Sequence, residues 1–308
     1  MIQGASAGTV DPRGVEELIH EIAASFRAEP INFMESGDLE GEARYLFHHL
    51  HGYVRTVNDI LLRSAGRDRG SISILEIGPF FGVVAIALAE LGFEVTVVDI
   101  EEFLENDRVQ DRFRRHGVRF ESCNLRDSQL PFPAERFDFV LMCETLEHFD
   151  FNPLPSLKEI HRVLNSDGLL YVTVPNQAEF SQRIKLLAGE SIHNPIEDFF
   201  EQLKPNSTMI VGLHWREYTA SEMKEMLERV DLQVVEQRYE MGYNWPSPPL
   251  TLKRRLKRYA WRILNRPLVR RAIVRLMFDA GFDPSLQEIQ ITLATKPRRS
   301  DAGATEPA

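Results

Sequence analysis

Two groups of side chains in this 308-residue chain have types and spacings that could do chemistry. The first surrounds a glycine turn. Glu76 lies near the end of the apolar run Ile72 to Ile77, and Gly78, Phe80 and Gly82 follow it, before the alanine-rich stretch Val83 to Gly92. A strand that ends in a tight glycine turn and opens a helix aims backbone N–H groups at an anion, as in the opening unit of a nucleotide-binding α/β sheet. The run Glu94 to Val98 repeats the strand pattern and stops on Asp99, whose carboxylate can accept from both hydroxyls of a ribose. The second group is Glu144, Glu147 and His148, with His214 far along the chain. A histidine titrates near neutral pH and suits a general base, with His148 the first candidate and His214 the second. Two carboxylates and two imidazoles could instead hold a divalent ion that orients a diol and lowers its hydroxyl pKa. Plainer roles fit as well: Glu76 as a strand-end carboxylate that caps backbone, and His148 as a helix-start residue bonded to a carbonyl.

The elements that must position these residues alternate between strand and helix, which predicts a parallel sheet with helices on both faces. After Asp99, Glu101 to His116 reads as one charged surface helix and Val118 to Ser122 as the third strand, leading into Cys123, Asn124 and Leu125. The segment 126–136, with Pro131 and Pro133, reads as a loop. Phe137 to Cys143 is the fourth strand, Leu154 to Leu164 a helix, and Leu169 to Val174 the fifth strand. Upstream, Val15 to Phe26 and Glu40 to Ser64 have helical spacing; Tyr45, Phe47, Leu50, Val54, Val57 and Leu61 form one apolar side of the second, and Tyr45 and His48 could face the site from this cap. Downstream, Ala178 to Gly189 and Pro195 to Leu203 read as helices. Thr219 with Glu222 is a capping box that opens another. Leu232 to Tyr239 and Gln287 to Thr295 read as the last two strands.

In this order the motifs resemble those of the class I S-adenosylmethionine (SAM)-dependent methyltransferases. Their first motif, Glu-x-Gly-x-Gly-x-Gly, stands here as Glu76-Ile-Gly78-Pro-Phe80-Phe-Gly82, with phenylalanine in place of the middle glycine. The spacing is not the Gly-x-Gly-x-x-Gly of dinucleotide sites. The fourth strand with Glu144-x-x-Glu147-His148, then the fifth strand closing on Pro175-Asn176, continue the likeness, which covers about residues 72 to 176 and extends more loosely to the end of the chain. The wording is most similar to the ubiquinone-biosynthesis O-methyltransferase type and its small-molecule and glycan-modifying relatives. The resemblance implies a Rossmann-like α/β fold: seven mostly parallel strands, the last antiparallel, with an N-terminal helical cap and a helical insertion between the last two strands. It implies SAM as cofactor, with Asp99 on the ribose, Glu76 and the turn at Gly78, Phe80 and Gly82 on the amino acid portion, Asn124 and Leu125 on the adenine, and Cys143 and Glu144 beside the methionine part. The acceptor it implies is a hydroxyl, less readily a nitrogen, of a small or lipid-linked molecule or glycan. Two alternatives stay open. Glu-x-x-Glu-His with a later histidine is similar to the metal-binding motif of small-RNA 3′-end 2′-O-methyltransferases, although the first motif also occurs in metal-free relatives, and the metal-free reading is the one taken. Phe80 in the glycine turn suggests a SAM-fold binding protein without catalysis.

Composition sets the remaining bounds. Hydrophobic content of 43% and charged content of 27% are those of an ordinary globular protein, not of a disordered or fibrous one. Neither a signal peptide nor a membrane-spanning run is read, and two cysteines, Cys123 and Cys143, point to reduced thiols in a cytoplasmic protein. The net charge of −10 hides a block, Lys253 to Arg275, with ten Lys and Arg and no acid. Amphipathic spacing over 252–277 with Trp261 suits an anionic membrane surface or a cover on the acceptor pocket; nucleic acid comes third, for want of an RNA-binding motif. The expected organisation is a disordered segment and helical cap over 1–70, a methyltransferase domain over 71–296 with its basic insertion at 242–286, and a disordered tail over 297–308.

Overall fold

The computed structural model describes residues 12–31, 39–127, 129–202, 212–240 and 288–297. Of the stretch from residue 1 to about residue 13 that is expected to be disordered, 1–11 lie outside the described residues, as do the basic insertion 242–286 and nearly all of the tail.

The centre of the fold is a seven-stranded sheet in the order β3-β2-β1-β4-β5-β7-β6. Strands β1 (Ser73–Ile77), β2 (Glu94–Asp99), β3 (Arg119–Ser122), β4 (Phe137–Cys143) and β5 (Leu164–Pro175) pair in parallel. The chain leaves β1 toward β2 and β3, then crosses back to β4 and β5. All of these strands therefore point their carboxyl ends at one edge, with a crevice where the winding reverses between β1 and β4. Strand β7 (Ile289–Thr295) runs antiparallel to both β5 and β6 (Gln233–Glu240). This is the expected architecture. Burial explains why the central strands read as unbroken apolar runs: every residue of β1 is buried, because helices cover both faces of a parallel sheet.

Helix α3 (Val83–Glu90) is buried from Val83 to Leu88 and apolar all round. Its partners on that face are α1 (Pro12–Ala28) and α2 (Leu39–Arg63), which form the cap. Helix α1 starts at Pro12, inside the stretch expected to be disordered. The apolar side of α2 buries Leu46, Val57, Ile60 and Leu61, a wider face than the expected one. On the opposite face α6 (Leu154–Val163) and α9 (Ala220–Glu228) cover β4, β5 and β7. The Thr219–Glu222 capping box is formed at the start of α9.

Two expectations are corrected. Glu101 to His116 is not one helix but α4 (Glu101–Leu104) and α5 (Asp107–Arg115). Asn106 interrupts it by accepting the Arg108 N–H at 3.0 Å, the local bond that makes asparagine a better cap than a helix interior. Strand β5 begins at Leu164 rather than Leu169, because Leu164 already pairs with Phe137 before the ladder shifts register. The remaining helices, α7 (Phe180–Leu187) and α8 (Ile196–Gln202), follow β5 on the carboxyl edge of the sheet.

Candidate active site

The glycine turn sits at the carboxyl end of β1. Gly78 and Gly82 have φ of 68° and 72°, the left-handed region that favours glycine. A Cβ on Gly78 would stand 2.5 Å from Thr145 Cγ2, and one on Gly82 would stand 2.3 Å from the Phe113 ring. Both glycines are thus demanded by the protein's own packing. Contact with Thr145 also brings the segment after β4 directly against the turn after β1. Phe80 has φ of 50° without being glycine. Its ring meets Tyr45, Phe81 and Phe103 at centroid distances of 5.4, 4.2 and 5.3 Å. The expected turn amides are already engaged: Gly78 N–H donates to Val98 O, Phe80 N–H to an Asp99 oxygen at 3.3 Å, and Gly82 N–H to Pro79 O.

Asp99 closes β2, with its other oxygen accepting the Ile100 N–H at 2.8 Å. Burial pushes its pKa up to about 7, against those two amides. A carboxylate offers about four lone-pair directions, so two backbone bonds leave room for two hydroxyls. Glu76 is 4% exposed and its Oε2 has no hydrogen-bond partner. Burial raises it to about 8, opposed by the Ala85 N–H at the start of α3. Asn124 is exposed, and its side-chain oxygen accepts the Arg126 N–H at 3.0 Å. Leu125 is buried, and its carbonyl accepts from Ser156 Oγ at 3.1 Å. Cys143 is half-buried and a free thiol, its pKa pushed up to about 12 by burial. These positions lie on the carboxyl edge, around the crevice between β1, β2 and β4.

The second group gathers beside them. Glu144 follows β4 with φ of 51° and donates its N–H to Thr173 O at 2.9 Å. Burial raises its pKa, and Arg55 from α2 is the largest opposing charge. Glu147 is 1% exposed, and neither carboxylate oxygen has a hydrogen-bond partner. Burial, then the Glu144 charge, holds it well above the usual range. His148 Nδ1 bonds the Leu213 carbonyl at 3.1 Å, so that nitrogen carries the proton and Nε2 presents a lone pair. Burial, then His214, lowers its pKa to about 4. His214 Nδ1 lies 3.0 Å from Glu217 Oε1, which fixes the same tautomer there. The two imidazoles stand edge to face, 5.0 Å apart. One ligand atom each from Glu147, His148 and His214 falls within 4.8 Å of the others.

Sequence reading missed Glu217 and Asn194, whose side-chain oxygen accepts the His214 N–H at 3.0 Å. Neither lies in a periodic element or a recognisable motif. Arg55 was invisible too, since on α2 it reads as one more polar helix position.

Buried acids with unpartnered oxygens, beside a strand-end carboxylate with lone pairs to spare, suit a ligand that brings positive charge and a ribose; SAM carries both. The fold and this site define a nucleotide-binding α/β enzyme, and sequence comparison gives its class. Residues 46–237 match the sequence model of a methyltransferase domain family, and the chain belongs to that family. It is a SAM-dependent methyltransferase. No curated protein matches it. Among solved structures, it is similar to the methyltransferase in complex with the Trm112 activator of Haloferax volcanii: 16% identity, TM-score 0.51, covering 90% of this chain and 98% of that one. A SAM-dependent methyltransferase of Thermotoga maritima is 17% identical, with a TM-score of 0.48 over 84% of this chain and 96% of that one. Phosphoethanolamine N-methyltransferase 2 of Haemonchus contortus, solved with SAM, is 15% identical, with a TM-score of 0.46 over 79% of this chain and 53% of that one.

Proposed function

We propose that this enzyme methylates a hydroxyl, less readily a nitrogen, of a small or lipid-linked acceptor such as a sugar or a quinone-like phenol. The ubiquinone-biosynthesis O-methyltransferases are the type its motifs most resemble. SAM, when bound, supplies an electrophilic methyl group on a sulfonium. Asp99 holds the ribose hydroxyls, and the free oxygen of Glu76 takes the ammonium. With the amides of Gly78, Phe80 and Gly82 engaged, the carboxylate goes to the amides that open α3. The Asn124 amide and the Leu125 side chain take the adenine, while Cys143 and Glu144 flank the methionine part.

The observation that carries the reading is the pair of Nε2 lone pairs on His148, on the segment that touches the glycine turn, and on His214, packed against it. His148 Nε2 accepts the proton of the acceptor hydroxyl. Glu147 Oε1 lies 3.9 Å from that nitrogen. His214 is the second base and turns the acceptor toward the cofactor.

A second reading has one observation in its favour. The grouping of Glu147, His148 and His214, with both Glu147 oxygens unpartnered, is a donor set for a divalent ion that orients a ribose diol at an RNA end. The acceptor reading further puts the enzyme in the cytoplasm, at an anionic membrane surface through 252–277. Among the described residues, no helix is long and apolar enough to cross a membrane. Incubation with labelled SAM and fractionated lipid, small-molecule and RNA extracts tests both readings. Label in the lipid or small-molecule fraction, insensitive to chelator, supports the first. Label in RNA that chelator abolishes and Mn²⁺ restores replaces it with the second.

A further inference from the structure

Of the nine large apolar side chains exposed among the described residues, six lie between Leu186 and Trp215, which concentrates them on α7, α8 and the loop that carries His214. Helix α8 lays out three of them at Ile196, Phe199 and Phe200, the i, i+3, i+4 spacing that puts side chains on one face of a helix. Ile196 and Phe200 are each 65% exposed. This face abuts the loop that carries His214. Phe199 meets the Trp215 ring at 5.7 Å, and Trp215 is the residue after His214. Asn194, two residues before α8, accepts the His214 N–H at 3.0 Å. Helix α7 reaches the same loop: Gln182 Nε2 lies 3.5 Å from Oε2 of Glu217, the carboxylate partner of His214, and exposed Leu186 follows one turn later. The His214 side chain is itself 35% exposed. Single exposed apolar side chains are ordinary, whereas a group of them continuous with a reacting centre marks a binding surface.

Charge decides among the occupants. No Lys or Arg occurs from Ala188 to Gln202, and Glu190, Glu197 and Asp198 flank the apolar side chains. Such a face repels an anionic membrane, and a second copy of the chain would set these acids against themselves across a twofold contact. A neutral hydrocarbon meets neither penalty. We infer that the acceptor carries a hydrocarbon chain, which lies along α8 and Trp215 while its hydroxyl reaches His214 and His148. The inference deepens the acceptor reading above, on which it rests for the hydroxyl, and narrows it to amphiphiles. Its consequence is that binding energy gained along the chain, away from the bond being made, orients the hydroxyl toward the cofactor.

The test uses 4-ethyl-, 4-butyl- and 4-hexylphenol as probes. Their affinities for the full chain loaded with S-adenosylhomocysteine are measured by calorimetry. A methylene wholly removed from water tightens binding about fourfold; on this open face about twofold each is expected, or about sixteenfold from ethyl to hexyl. The double variant Ile196→Gln, Phe200→Gln changes exposed positions and is expected to fold. It is expected to cut the ethyl-to-hexyl gain to below about threefold and to leave ethylphenol within about twofold, with Phe200→Gln alone in between. A gain that is absent, or that survives in the variants, overturns the inference. So does a wild-type dimer that the double variant dissociates, or sedimentation with neutral phosphatidylcholine liposomes that it abolishes, because another occupant then holds the face. Labelled SAM in place of the product tests the hydroxyl separately. Label on the phenols without a chain-length gain in affinity keeps the acceptor reading and removes the chain. Label on 4-hexylaniline but not on 4-hexylphenol replaces the hydroxyl by a nitrogen and leaves the chain in place.

Discussion

Replacing Glu76 by glutamine asks whether burial keeps a proton on this acid in the empty protein. The side chain is 4% exposed, Oε2 has no partner, and burial moves its pKa from 4.5 to about 8. An acid whose pKa rises on folding loses its proton first in the unfolded chain. Its contribution therefore turns unfavourable as pH climbs through the unfolded value and is complete above the folded one. Inside that window the two states differ by one proton, and stability falls by up to about 1.4 kcal/mol per pH unit. By neutral pH the accumulated penalty has a ceiling of about 3 kcal/mol. Glutamine does not ionise. Its buried amide hydrogens cost about 1–3 kcal/mol on their own, but that offset is the same at every pH. The diagnostic quantity is thus the slope. Urea unfolding without SAM is expected to show the variant gaining on the wild type by about 1 kcal/mol per unit between about pH 5 and pH 8. Saturating SAM is expected to reverse the ranking, because it binds and stabilises the folded wild type more tightly than the variant. Parallel pH profiles would refute the reasoning, since Glu76 would then titrate alike in the folded and the unfolded chain.

Four further outcomes are expected. Asp99→Ala removes the acceptor for both ribose hydroxyls, and SAM affinity measured by calorimetry falls by at least about tenfold, since bonds to a charged group contribute about 1.5–3 kcal/mol each; unchanged affinity in a folded variant takes Asp99 out of the site. Because burial holds Asp99 up to about 7, SAM affinity also tightens as pH rises through that value, and Asp99→Asn flattens the dependence. His148→Ala lowers kcat on the identified acceptor by about a hundredfold or more with little change in SAM affinity, and equal losses in both would make the histidine structural. Last, the protein sediments with anionic but not neutral liposomes, and reversing Arg254, Arg255 and Arg258 abolishes this, each charge contributing about 1 kcal/mol; sedimentation with neither, or equally with both, defeats the membrane contact.

The elements were legible because their causes are local. A short, β-rich apolar run that stops on a glycine turn and opens a helix reads as a buried parallel strand, and β1, β2, β4 and α3 lie within a few residues of their expected bounds. Where local cues competed, sequence reading slipped. Asn106 caps a new helix inside an apparently continuous charged one, and Leu164 joins the sheet only because Phe137 is there to pair with it.

What the sequence determined by itself was the order of strands and turns, the acids at their ends, and the run Glu144, Glu147, His148. These residues are neighbours in the chain, and their chemistry needs no tertiary context to be recognised. The tertiary structure decided which remote groups stand beside them. The Leu213 carbonyl sets the His148 tautomer across 65 residues of chain, and the fold of the loop turns Glu217, three residues on, toward His214 Nδ1. Packing of the cap seats Tyr45 on Phe80, and burial strips Glu76 and Glu147 of water. Residue type gives a carboxylate its chemistry, whereas its charge state and its partners depend on burial, and burial belongs to the whole fold.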